Sequence, residues 1–149
     1  MRLRLGAALC LATAVAGACG GSDGDSSDGR YADQADAVCL DAQAELEQIP
    51  QPLTLPDLAP WTRRFVPVAR RQVERLRKLD PPEGDEANAR AFADALDRSV
   101  DAIEQMGQAA RSGNDGRLQE LTGAAQQATA EARALAADLG LQACATSGP

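Results

Sequence analysis

The stretch RLQELTGAAQQATAEARALAADL, residues 117–139, decides the fold. Leu118, Leu121, Ala125, Ala128, Ala132, Leu135 and Leu139 follow one another at unbroken intervals of three and four residues. That spacing draws a single apolar seam along a helix, the pattern by which helices pack into bundles. Three of the seven seam residues are alanines, so the helix can approach its neighbours closely there. Gly140 followed by Leu141 then reads as a left-handed cap that ends the helix with a hydrophobic contact.

Three further amphipathic segments precede it. Residues 31–49 place Ala35, Val38, Cys39, Ala42, Leu46 and Ile49 at helical spacing, and Pro50-Gln51-Pro52 ends the run. Residues 55–79 begin behind Thr54 and Asp57, which have the spacing of a capping box. Their apolar face is Leu58, Trp61, Phe65, Val68, Ala69, Leu76 and Leu79, with Gln72 as the polar exception. Pro60 lies near the start, where proline is tolerated, whereas Pro67 removes the hydrogen bond to Arg63 and is expected to kink the helix. After Asp80-Pro81-Pro82-Glu83-Gly84, residues 85–111 carry Phe92, Ala95, Leu96, Ser99, Ile103, Met106 and Ala110 on one face, and Gly113-Asn114-Asp115-Gly116 forms the last turn. Four helices joined by short breaks predict an all-α, up-down-up-down four-helix bundle.

Composition limits what such a bundle can do. The chain has 149 residues and 31 alanines, 3% aromatic residues and no histidine. Few rings are on hand to line a large pocket. Without histidine the usual general base and the commonest zinc and iron ligand are missing, and no nucleophile elbow, phosphate loop or Cys–His pairing is present. A non-enzymatic protein with no cofactor and no metal is the expectation. The net charge of −7 argues against a nucleic-acid partner.

The N-terminus reads as an address. Met1-Arg2-Leu3-Arg4 is a positive start, Leu5 to Val15 an apolar run, and Ala16-Gly17-Ala18 a small-residue cleavage site directly before Cys19. The run is too short to span a bilayer, which takes about 20 residues. Ala16-Gly17-Ala18-Cys19 resembles the lipobox of bacterial lipoproteins, departing only at Ala16, where leucine is usual. The resemblance implies a signal peptide over 1–18 and diacylglycerol on the Cys19 thiol, a two-chain anchor strong enough for stable attachment. Residues 19–30 then form a Gly/Ser/Asp tether, and 31–149 the helical domain. Loss of 1–18 removes Arg2 and Arg4 and brings the charge to −9.

Of four cysteines, Cys10 lies in the signal and Cys19 in the lipobox. Cys39 and Cys144 remain, and in an exported protein an even pair predicts a disulfide. The topology agrees, because the first helix starts and the fourth ends at the same end of the bundle.

Two charged constellations and one aromatic group complete the reading. Arg63, Arg64, Arg70, Arg71, Arg75, Arg77 and Lys78 crowd the second helix, either pairing with acidic neighbours or forming a basic face for an anionic envelope polymer or headgroups. Asp94, Asp97, Asp101 and Glu104 form a stripe on the third helix that is expected to point to water rather than to hold a metal. Trp61, Phe65 and Phe92 are candidates to line a small-ligand crevice between helices two and three, opened by the Pro67 kink.

The lipobox, the tether, Ala35-Asp36-Ala37-Val38-Cys39, Leu79-Asp80-Pro81-Pro82-Glu83-Gly84-Asp85 and Leu139-Gly140-Leu141-Gln142-Ala143-Cys144 together resemble small Ala-rich lipoproteins of high-GC Gram-positive, actinobacterial type. The resemblance implies a lipid-anchored protein on the outer face of the cell membrane. Two roles are expected from these features: an interaction or structural module of the envelope, with an envelope protein or anionic polymer as partner, or a small-ligand carrier.

Overall fold

Tyr31, Ala35, Val38, Cys39 and Ala42 are all buried, and their spacing carries the first helix further towards the N-terminus than its apolar pattern alone suggests. The computed structural model describes residues 27–146, and all regular structure within them is helical. The helices are α1 (Ser27–Leu46), α2 (Leu55–Leu76), α3 (Glu86–Ser112), α4 (Asp115–Asp138) and a short α5 (Gln142–Thr146). The four long helices form the expected up-down-up-down bundle. Residues 27–30, assigned above to the tether, belong to α1. Cys10, the lipobox and Cys19 lie outside the described residues.

The helix ends follow local chemistry. At the start of α2 the backbone N–H and hydroxyl of Thr54 both donate to Asp57 Oδ2, at 3.0 and 2.7 Å. The hydroxyl bond holds the Asp57 carboxyl below its ordinary pKa. Gly113, at φ 64°, closes α3 and lets the Asn114 N–H reach the Ala109 carbonyl at 3.0 Å. The Asn114 side chain in turn accepts from the Arg117 N–H at 3.0 Å and starts α4. At the other end Gly140 is left-handed and Leu141 donates to the Ala136 carbonyl at 2.8 Å while its side chain is fully buried. This is the glycine cap with its hydrophobic contact.

Two expectations change in detail. The buried stripe of α4 runs Leu121, Ala125, Ala128, Ala132 and Ala136, with Leu135 only half-buried. A seven-residue repeat drifts by about 20° per heptad around a straight helix, and by the last turn the drift moves the core position one residue on. Helix α2 continues through Pro60 and Pro67, both of which are exposed, so each ring and its missing N–H lie on the solvent side.

The core divides into two clusters. One gathers Tyr31, Cys39, Leu76, Phe92, Ala136, Leu141 and Cys144 at the end where α1 begins. The other gathers Phe65, Ala69, Val100, Ile103 and Leu121 nearer the opposite end. Helix α3 is the central element, packed against both α2 and α4. Helix α1 packs against α2 and α5 and does not approach α4 along its length. Three devices near the chain ends hold it there. Asp36 accepts the N–H groups of Gln142, Ala143 and Cys144 at 3.0, 2.9 and 3.1 Å, capping α5 from another helix. Leu141 fills the space beneath. Cys39 and Cys144 form the expected disulfide, with a Cα–Cα distance of 5.3 Å.

The α2–α3 crossing depends on the absence of a side chain. A Cβ at Gly107 would lie 2.1 Å from Thr62 Oγ1 and 3.0 Å from Thr62 Cβ, and Thr62 is buried with its hydroxyl bonded to the Ala59 carbonyl at 3.1 Å. Helix propensity alone makes Gly→Ala favourable by about 1 kcal/mol. Here overpacking reverses the sign, and Gly107→Ala is expected to destabilise the domain by about 1–3 kcal/mol. Urea denaturation measures this, and adding Thr62→Ala recovers the larger part, because the nearest atom is the hydroxyl. A more stable Gly107→Ala protein would show that the crossing has slack.

Candidate functional site

A crevice of about 460 Å³ opens along the side that α1 leaves uncovered. Its floor and flanks come from α2 (Trp61, Phe65, Ala69, Gln72, Val73) and α3 (Phe92, Leu96, Ser99, Val100, Ile103). Cys39, Gln43, Leu46 and Glu47 of α1 form the opposite wall, with Gln51 beyond the helix end, and Cys144 and Thr146 close the end at α5. The periodicity of each helix explains the lining. Trp61, Phe65, Ala69 and Val73 recur every four residues on one face of α2, and Phe92, Leu96, Ser99 and Ile103 do so at three- and four-residue steps on α3. Both faces are apolar because the sequence prepares them for a core, and α1 stands too far from α4 to close over them.

Trp61, Phe65 and Phe92 therefore lie along one cavity, although its walls differ from those expected. It runs between α1 and the α2–α3 pair, not between α2 and α3, which meet closely at Thr62 and Gly107. Pro67 lies two helical steps of about 100° beyond Phe65, on the far side of α2, and lines none of it. The opening arises from where α1 docks. Trp61 stacks on Phe65 with ring centroids 4.6 Å apart. Trp61 and Ile103 also separate the crevice from a second cavity of about 370 Å³ between α3 and α4. The Trp61 Nε1–H is buried and has no hydrogen-bond partner.

The polar residues around the crevice are mostly committed to structure. Gln72 Nε2 lies 3.3 Å from Cys39 Sγ. Ser99 pairs with Thr129 Oγ1 of α4 at 2.9 Å, since the α3–α4 contact brings a second hydroxyl within reach. Gln43 donates to Glu47 at 2.9 Å on the rim.

The charged constellations resolve into ion pairs between helices. Arg70 reaches Asp97, Asp101 and Glu104, the last at 3.2 Å, and Arg77 reaches Asp94 and Asp97 at 2.9 and 3.0 Å. On the other flank Arg71 pairs with Glu45, and Arg75 with Asp41 at 2.8 Å. The acidic stripe of α3 thus faces the α2 flank, and Asp97 keeps only 27% of its side chain exposed. Asp94, Asp101 and Glu104 stay about half exposed, so the stripe meets water and arginines together. A stripe opposite the Phe92 face still lies within reach of arginine side chains long enough to bridge two adjacent helices. Hydrogen bonds donated to Asp101 and Glu104 hold the Arg70 guanidinium above its ordinary pKa, and those donated to Asp94 and Asp97 do the same for Arg77. Arg63, Arg64 and Lys78 make no ion pair among the described residues. The seven cations are not one continuous face.

Among the described residues no group of acidic and cysteine side chains is placed to hold a metal ion, and no helix is long and apolar enough to cross a membrane. No family model, curated protein or solved structure matches the chain. The site must be read from its own geometry. Sequence reasoning missed Asp36, whose three acceptor bonds span more than a hundred residues and leave no local spacing to detect.

Proposed function

We propose that this chain is a non-enzymatic lipoprotein on the outer face of the cell membrane, anchored through Cys19, whose bundle carries a small apolar ligand. The crevice carries this reading. At about 460 Å³, apolar in most of its lining and flanked by the Trp61–Phe65 stack, it falls within the 300–1,000 Å³ of ordinary ligand sites. A purely structural bundle of alanine-rich helices has no need of such a space. The anchor rests on the lipobox resemblance.

Two measurements test the two halves. Mass spectrometry of the mature N-terminus is expected to find diacylglycerol on Cys19, and an unmodified cysteine or a different cleavage site removes the anchor. Titration of the full chain with the uncharged fluorophore N-phenyl-1-naphthylamine is expected to saturate at one site. A linear, unsaturable signal sinks the carrier reading.

The interaction-module reading has its own support. Leu53, in the α1–α2 loop, is 91% exposed, and Leu55 is exposed beside it. Arg63 and Arg64, which make no ion pair among the described residues, follow in the third turn of α2, so positive charge lies near this apolar tip.

A further inference from the structure

The crevice is elongated. Its lining on α2 runs from Trp61 to Val73 and on α3 from Phe92 to Ile103, a length of about 17 Å at 1.5 Å per residue. That length matches an extended methylene chain of roughly 12–14 carbons at ~1.3 Å per bond.

The two ends differ in chemistry. At the disulfide end the lining is Val73, Phe92 and the Cys39–Cys144 bridge. At the other end stand Trp61, Glu47 and Gln51. The Trp61 Nε1–H is enclosed with no acceptor, an arrangement rare for a buried donor, and a turn of the ring towards the slot would offer it to a ligand oxygen. Glu47 is the one charged residue of the lining; the nearest free cation, Arg64, lines a separate cavity on the other side of Trp61 and Gln51. A carboxylate or phosphate placed here would lose water and gain no counter-charge.

Building on the carrier reading, we infer that the crevice takes a single-chain lipid with an uncharged, oxygen-bearing polar end, of the monoacylglycerol class. The chain lies between α1 and the α2–α3 pair with its methyl end at the disulfide. The polar end sits by Glu47 and Gln51, and the Trp61 ring turns on its stack to donate to an ester or hydroxyl oxygen.

Displacement of bound N-phenyl-1-naphthylamine from the full chain tests the class, with every lipid kept below its aggregation concentration. We expect 1-monolauroylglycerol to displace it one-for-one. Shortening the chain towards eight carbons should weaken binding about three- to fourfold per methylene. Laurate should bind at least tenfold more weakly than the glyceride at neutral pH, and Glu47→Gln should narrow that gap. Trp61→Phe, which keeps the stack and removes the donor, should weaken the glyceride about tenfold. Laurate binding as tightly as the glyceride, or an affinity indifferent to chain length, overturns the lipid class and leaves the carrier reading standing. Failure of the naphthylamine itself to bind removes the carrier reading as well.

Discussion

Removing the disulfide, by Cys39→Ala with Cys144→Ala or by reduction, is expected to cost about 4–5 kcal/mol and to lower the melting temperature by on the order of 15 °C. The magnitude follows from the sequence separation of 105 between the two cysteines, since the bridge withdraws most freedom from an unfolded chain when the loop it closes is long. The native state supplies a second reason. The backbone of α1 runs close only to α2 and α5, and α5 has five residues, too few to stand alone. Without the bridge, α5 is held by Leu141 and the three bonds to Asp36, and α1 keeps a single long-helix neighbour. Thermal melts followed by helical circular dichroism, with and without reductant, read the effect. A shift below about 3 °C would show that these non-covalent contacts already hold the ends in place.

Phe92→Ala is expected to cost about 3–5 kcal/mol, read from the urea midpoint. Phe92 is 1% exposed and is one of the largest fully buried side chains. The cost of a void depends on whether the surroundings collapse into it, and here many of them cannot. Ala35, Ala95, Ala132 and Ala136 belong to the same cluster and have no side-chain torsion with which to fill space. The loss therefore belongs in the upper part of the range. Phe92→Leu, which keeps most of the volume, should cost less than half as much. A small loss for Phe92→Ala would mean that the crevice it borders already relieves the packing.

Much of the fold was legible because its signals are local. Thr54 with Asp57, Gly113, Asn114 and Gly140 mark helix ends through bonds made within a few residues, and the seam of α4 announces a bundle. The pairing of Cys39 with Cys144 followed from counting and topology. What remained hidden depends on placement across the chain. An apolar stripe on a helix says that a face is buried without saying against what, so the distance between α1 and α4 left no trace in the periodicity. The same is true of α5, whose QACAT carries no capping signal because its cap, Asp36, comes from α1. The rarity of rings did single out Trp61, Phe65 and Phe92, but the wall facing them, Gln43 to Gln51, carries no aromatic residue to mark it.

The position of the disulfide also sets how the domain bears load. A pull on the chain ahead of Ser27 enters along the axis of α1 and meets the covalent bridge at Cys39, twelve residues in. From there tension passes to Cys144 and on through Gly140 into α4, leaving the rest of α1 unstretched. The unloaded part holds Gln43, Leu46 and Glu47, the wall of the crevice. The staple thus acts as a strain relief, and a force applied ahead of Ser27 leaves the shape of the slot unchanged.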